Sequence, residues 1–127
     1  MITKFENIVT EKRFIIDKNK FQLFLKDILV AESYFEIEQP DDFFNQKYIS
    51  LFKLKTIKEF IGKGFMKYLL EQICDYVKNK LNIANILLNV YKNNYRALNL
   101  YFNNGFEIYR NCNDSDDEPY FTLIKKL

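Results

Sequence analysis

The glycines of this chain mark a candidate anion site. The 127 residues contain three glycines, Gly62, Gly64 and Gly105. Gly62-Lys63-Gly64 stands between a predicted strand and a predicted helix, where unpaired backbone N–H groups and the positive end of the helix dipole attract an anion. Such a turn suits a pyrophosphate. Taken alone, the motif is more often an ordinary tight turn between a strand and a helix.

A second segment with chemical content runs from Asn94 to Phe106. Asn94 can cap a helix by accepting a bond from a free N–H of the first turn, and Gly105 suits the left-handed position that ends one. One face of this helix is apolar at helical spacing: Ala97, Leu98, Tyr101 and Phe102. Tyr101 packs on this face, and Phe106 opens a new strand.

The absence of histidine restricts the chemistry. It excludes Ser-His and Cys-His nucleophile systems and any histidine-liganded metal. General acid–base catalysis must then come from Tyr, Asp, Glu, Lys, Cys or water. The two cysteines, Cys74 and Cys112, match no metal spacing and form no disulfide framework, so no metal is expected.

Length and composition predict one globular domain over residues 1–127, because the chain is 48% hydrophobic and 17% aromatic. The net charge of +2 argues against nucleic acid as a partner. Neither a membrane-spanning apolar run nor a signal-peptide layout is found. A cytoplasmic protein without membrane contact is expected.

The elements that must position these residues follow from hydrophobic periodicity. The predicted strands are 13–17, 21–26, 28–38, 48–56, 84–91, 106–111 and 120–126, with two hairpins among the first three. The predicted helices cover 62–81 and the segment that starts at Asn94. In strand 48–56, alternation groups Phe52, Leu54 and Thr56 on one face. The order in the second half predicts an α/β (α+β) fold, a mixed sheet with at least one parallel pair and two main helices.

The segment from Asn94 to Phe106 fits the pattern N-x-R-A-x-x-L-Y-x-x-x-G-F. This pattern resembles the GNAT superfamily of N-acetyltransferases, which use acetyl-CoA. The resemblance covers roughly Tyr48 to Leu127 and implies a mostly antiparallel sheet with one splayed parallel pair. Family members usually carry two helices between their first two strands, and residues 1–47 are too short and too strand-like for that pair. Three alternatives follow: an open acceptor cleft, a large acceptor such as a protein, or a partner subunit, as in a homodimer, that completes the site.

The resemblance implies a site for acetyl-CoA as co-substrate. The family pattern [R/Q]-x-x-G-x-[G/A] holds the CoA pyrophosphate, and here Ile61 and Met66 depart from it. The residues implied at the pyrophosphate are Gly62, Lys63, Gly64, Phe65, Met66 and Lys67. Leu54, Lys55 and Thr56 would pair through their backbone with pantetheine, and Asn94 would also reach the cofactor. Tyr101 matches the family tyrosine that protonates the leaving thiolate.

The implied function is transfer of an acetyl group from acetyl-CoA to a primary amine, by direct attack, on a small molecule or a protein. The nearest carboxylates for a general base are Glu36 and Glu38, which share one face of their strand and are otherwise surface charge. The acidic loop of Asp114, Asp116, Asp117 and Glu118 either attracts a cationic acceptor or is simply solvated. The alternative function is an inactive module that binds acyl-CoA or a partner. A further alternative, acetylation of charged tRNA, is disfavoured by the low net charge.

Overall fold

The structure is a computed structural model that describes residues 11–113 and 118–127. It contains seven strands, two α-helices and one short 3-10 helix in the described ranges. In chain order they are β1 (Lys12–Asp17), β2 (Lys20–Leu25), β3 (Ile28–Glu38), β4 (Tyr48–Thr56), the 3-10 helix (Lys58–Phe60), α1 (Phe65–Asn79), β5 (Asn85–Tyr91), α2 (Tyr95–Asn103), β6 (Glu107–Cys112) and β7 (Tyr120–Lys126).

The strands form one sheet in the order β1-β2-β3-β4-β5-β7-β6. Every neighbouring pair is antiparallel except β4 and β5, which run parallel. The parallel pair arises because α1 carries the chain back across the sheet between β4 and β5. The predicted fold class and both predicted hairpins are confirmed.

Helix α1 packs across β2, β3 and β4. Its buried side chains recur at helical spacing: Met66, Leu69, Leu70, Ile73 and Val77. The helix begins at Phe65 and not at Gly62 as predicted, because Gly62 and Gly64 have φ values of +81° and +83°. None of the helices in the described residues is long and apolar enough to cross a membrane.

Residues 11–57 form strands and their connections and contain no helix. They therefore place no helix on the other face of the sheet. A small second core lies there, formed by buried side chains: Phe44, Tyr48, Leu87 and Ile124. The connection between β3 and β4 is held against β6 because the Tyr109 hydroxyl donates to the Phe43 carbonyl at 2.8 Å.

Candidate active site

Strands β4 and β5 separate after a short paired stretch. They pair only at Ile49–Ile86, Ser50–Leu87 and Leu51–Leu88. From Phe52 and Asn89 onward each strand presents an unpaired edge to the other. The opening forms a cleft of about 630 Å³, which is large enough for part of a cofactor and its acceptor.

A β-bulge in β4 accompanies this separation. On β3, Glu32 pairs with Lys55 and Tyr34 pairs with Phe52, so Ser33 stands opposite two residues of β4. One of the two, Lys53, has a left-handed φ of +53°. The fully buried Ser33 hydroxyl lies 3.4 Å from the Phe52 carbonyl and 3.0 Å from the Tyr34 carbonyl. The bulge is thus anchored from the neighbouring strand.

The bulge changes which face the later residues of β4 occupy. Leu54 packs against the main core together with Ile49 and Leu51. Phe52 instead stacks on Tyr34 with ring centroids 5.8 Å apart. The prediction that Leu54 shares a face with Phe52 is therefore wrong, because simple alternation takes no account of the extra residue.

The turn before α1 presents backbone donors that have no backbone partner among residues 11–113 and 118–127. The first bond of this turn is donated by the Tyr68 N–H to the Gly64 carbonyl at 3.1 Å. The N–H groups of Phe65, Met66 and Lys67 precede this bond and point out of the helix start. A Cβ placed on Gly64 would meet no heavy atom within 4 Å, so the turn opens to free space.

Met66 occupies the position where the family pattern has a small residue. Its side chain is 9% exposed and belongs to the main core. It therefore turns away from the N-terminal amides of α1 and leaves them accessible. Lys63 and Lys67 are exposed on either side of it, so the turn has cationic side chains as well as backbone donors.

Asn94 and Tyr101 of the second motif both line the cleft. The predicted cap is confirmed, since Asn94 Oδ1 accepts a bond from the Ala97 N–H at 3.2 Å. This leaves the Asn94 Nδ2 group as a donor. Leu54 also lines the cleft. Lys55 and Thr56 lie further along β4, where they pair with Glu32 and Ala31 of β3.

Tyr101 combines deep burial with access to the cleft. It is 6% exposed and packs edge-on against Phe106, with ring centroids 5.7 Å apart. Burial raises the pKa of Tyr101 to about 12. Within the described residues its hydroxyl has no hydrogen-bond partner, and it is not among the fully buried unpaired atoms. The phenol therefore reaches the cleft with its proton held through the physiological pH range.

Carboxylates line the other end of the cleft. Glu36 and Glu38 both lie there, beside the nearly buried Tyr48. Burial, followed by repulsion from Glu36 and Asp41, raises the pKa of Glu38. Burial also raises the pKa of Tyr48. Asp114, Asp116 and Asp117 of the acidic loop lie outside the described residues, whereas Glu118 is described and is exposed.

Sequence reasoning did not single out Tyr48, Asn89 or Thr122, which also line the cleft. The Thr122 hydroxyl donates to Asn89 Oδ1 at 2.7 Å. Asn89 interrupts the run of apolar and aromatic residues from Ile86 to Tyr91, and this interruption is a signal in the sequence. No cluster of three or more cysteine or acidic side chains suited to a metal occurs among residues 11–113 and 118–127.

A family model described as "Acetyltransferase (GNAT) family" matches residues 33–106. A search of curated protein sequences found no significant match. Solved structures with a similar fold include the ribosomal-protein-S18-alanine N-acetyltransferase of Escherichia coli, with 19% identity and a TM-score of 0.70 over 87% of this chain and 71% of that chain.

Two further structures relate the fold to coenzyme A. Arabidopsis thaliana Naa50 in complex with the bisubstrate analogue CoA-Ac-MVNAL has 20% identity and a TM-score of 0.70, over 98% of this chain and 89% of that chain. The PaiA N-acetyltransferase of Thermoplasma acidophilum, in complex with coenzyme A, has 22% identity and a TM-score of 0.66, over 85% and 60%. The family model covers more than half of the chain and includes both glycine motifs. The chain belongs to the GNAT family of acetyltransferases.

Proposed function

We propose that this protein is an N-acetyltransferase that moves an acetyl group from acetyl-CoA to a primary amine. The observation that carries the proposal is the cleft between the splayed β4 and β5. A tyrosine with a raised pKa lies on one side of it, and two glutamates lie on the other. In a member of the GNAT family, this arrangement sets a proton donor and a proton acceptor across one opening.

The residues present fit the donor substrate. The amides at the start of α1 suit the pyrophosphate, since the turn is open at Gly64 and Met66 packs inward. The edge of β4 from Leu54 to Thr56 suits the pantetheine amides, because it faces an unpaired gap. Asn94 can donate its Nδ2 group from the opposite wall. Acetyl-CoA would supply an activated acyl group as a thioester.

Tyr101 acts as the general acid in this proposal. Its pKa of about 12 keeps the phenol protonated at neutral pH, whereas an exposed thiol has a pKa of about 8.5. Desolvation also raises the pKa of a thiol within the same cleft. The pKa values of the Tyr101 phenol and the leaving thiol are therefore closer there than in water. Proton delivery from the Tyr101 hydroxyl then neutralises the leaving thiolate as it forms.

Glu38 acts as the base, either directly or through one water. Its raised pKa makes it a stronger proton acceptor than a solvated carboxylate. Glu36 beside it adds a second negative charge to the acceptor end of the cleft. The pair favours the approach of a cationic amine, and Glu38 accepts the proton of that amine.

An alternative is a module that binds acyl-CoA without transferring the acyl group. The observation in its favour is Ile61, which is 44% exposed and uncharged where the family pattern carries Arg or Gln. The absence of a carboxylate from β4 also favours this alternative. In this alternative the cleft binds the donor, and Tyr101 serves only the packing of α2.

Calorimetric titration with acetyl-CoA, followed by a thiol-release assay, tests the proposal. The amine panel includes peptides with free N-termini, because one similar structure is a protein alanine acetyltransferase and another holds a peptide-CoA analogue. It also includes lysine derivatives and polyamines. Binding together with amine-dependent thiol release supports the enzyme. Binding without release for any amine supports the module, and no binding refutes both.

A further inference from the structure

Arg96 of α2 lies against the glycine turn that precedes α1. Its Nη2 atom is 3.4 Å from the point where a Cβ on Gly62 would stand. The two residues are far apart in the chain, and their proximity follows from the packing of both helices on one face of the sheet. Arg96 follows Asn94, which caps α2 and lines the cleft. A guanidinium group therefore lies next to Gly62 of the turn.

This guanidinium has no neutralising partner in the described part of the chain. Arg96 takes part in neither of the two ion pairs found there, which join Arg13 to Asp27 and Lys26 to Glu11. It makes no side-chain hydrogen bond with residues 11–113 or 118–127, and it is exposed. The surrounding sequence offers no carboxylate, since neither residues 60–70 nor residues 92–106 contain Asp or Glu.

The turn itself is poor in fixed side-chain charge. Ile61 precedes Gly62 with an exposed apolar side chain, and no side chain caps the start of α1. Lys63 and Lys67 extend into solvent as flexible ammonium groups. Arg96 is therefore a cation that lies beside the turn. A guanidinium is also well suited to phosphate oxygens, because it offers two parallel N–H donors.

We propose that Arg96 binds the pyrophosphate of the donor substrate, opposite the backbone amides at the start of α1. The pyrophosphate is then held from two sides, by N–H groups of one helix and by a side chain of the other. This inference rests on the proposed function, since it presumes that acetyl-CoA occupies the cleft. In this arrangement the positive charge that binds the pyrophosphate comes from α2, whereas the backbone N–H donors belong to the glycine turn.

Calorimetry on the full chain tests this role without an acceptor. Arg96→Ala is expected to raise the Kd for acetyl-CoA about tenfold, the size typical of one hydrogen-bonded charge. Arg96→Lys is expected to lose less. Lys78→Ala, which removes one exposed charge at the far end of α1, serves as the matched control and is expected to stay within about twofold of the unmodified protein. Affinity should also fall less steeply with added KCl in Arg96→Ala.

Two further titrations test which phosphate Arg96 binds and whether a positive charge beside Gly62 is what matters. The loss should persist with acetyl-dephospho-CoA, which keeps the pyrophosphate and lacks the 3′-phosphate. In the Arg96→Ala background, Ile61→Arg should restore binding, because position 61 adjoins the same glycine and its side chain is exposed.

Each remaining outcome has a distinct meaning. If the unmodified protein binds acetyl-CoA and Arg96→Ala binds equally well, the role of Arg96 is refuted while the proposed function stands. A loss that disappears with acetyl-dephospho-CoA moves Arg96 to the 3′-phosphate and overturns the pyrophosphate assignment. If the unmodified protein binds no acetyl-CoA, the proposed function fails, and this inference fails with it.

Discussion

The Thr122 hydroxyl donates a 2.7 Å hydrogen bond to the amide oxygen of Asn89, across the β5–β7 ladder. Thr122 is 3% exposed, whereas Asn89 is exposed and is the first residue of β5 beyond the paired stretch with β4. Because the oxygen of Asn89 is engaged, both of its N–H donors remain for the cleft. A buried hydroxyl thus sets the orientation of an amide in the candidate active site.

Thr122→Val tests whether this orientation matters for the acceptor. The change keeps the side-chain shape and removes the donor, so the Asn89 amide becomes free to turn over. The KM for the acceptor should rise about fivefold, the effect of one hydrogen bond near 1 kcal/mol, with little change in kcat. Asn89→Ala should cause a similar rise, and the double variant should be no worse than either. A normal KM in Thr122→Val would contradict this role.

Tyr101→Phe should lower kcat by about 10²-fold or more, as expected for the loss of a general acid. The fold should persist, because the hydroxyl has no hydrogen-bond partner among the described residues and the ring keeps its packing on Phe106. Turnover and thermal unfolding are measured on the same sample. Since the pKa of Tyr101 is about 12, its titration should not appear as an alkaline limb below pH 10. Unchanged turnover with a good acceptor would leave Tyr101 as a packing residue.

Met66→Ala separates stability from cofactor binding. The side chain is 9% exposed in the main core, so its truncation should lower the free energy of unfolding by about 2–3 kcal/mol. The Kd for acetyl-CoA should change less than about twofold, because the side chain points away from the amides at the start of α1. Denaturant unfolding and calorimetry measure the two effects, and Met66→Leu is the volume-matched control. A marked change in Kd would mean that position 66 contacts the ligand.

Glu38→Gln should raise thermal stability at neutral pH. A carboxyl group whose pKa is raised in the folded state loses stability as pH rises through that pKa, because the fold disfavours the ionised form. Replacing it with an amide removes this cost at pH 7. The gain should vanish well below the ordinary value of 4.5, where the carboxyl group is protonated in both states.

The same substitution should reduce acetylation about 10²-fold if Glu38 is the base. Glu71→Gln, which removes an exposed negative charge on α1, is the control for charge alone. Lower stability of Glu38→Gln at pH 7 would contradict the electrostatic argument. An unchanged acetylation rate would contradict the catalytic one.

Most of the fold could be predicted from local patterns. The apolar stripe of α1 and the Asn94 cap are encoded within a few neighbouring residues, so periodicity and capping rules identify them. The bulge at Lys53 could not be predicted in this way, because the residue with positive φ is not a glycine and the anchoring hydroxyl of Ser33 lies on another strand. The face of Leu54 was predicted wrongly for the same reason.

The residues of the candidate site also fall into those that local sequence predicts and those that only tertiary packing brings together. Both glycine segments and Tyr101 belong to continuous motifs, which a single sequence displays. Other features depend on how distant segments of the chain pack. These are the proximity of Arg96 to Gly62, the hydrogen bond of Thr122 to Asn89 and the position of Tyr48 at the cleft. Glu36 and Glu38 share a face by simple alternation, but only the sheet order decides that this face borders the cleft.

The three-residue contact between β4 and β5 divides the sheet into two ribbons, β1–β4 and β5–β7–β6. Each ribbon is hydrogen-bonded along its own strands, whereas the seam between them is bonded only at one end. A linear ligand that carries amides can lie in the open end and pair with both exposed edges, as an inserted strand would. In the proposed complex, the bound substrate would complete the ladder that the polypeptide leaves unfinished, and the sheet would then be continuous along the seam.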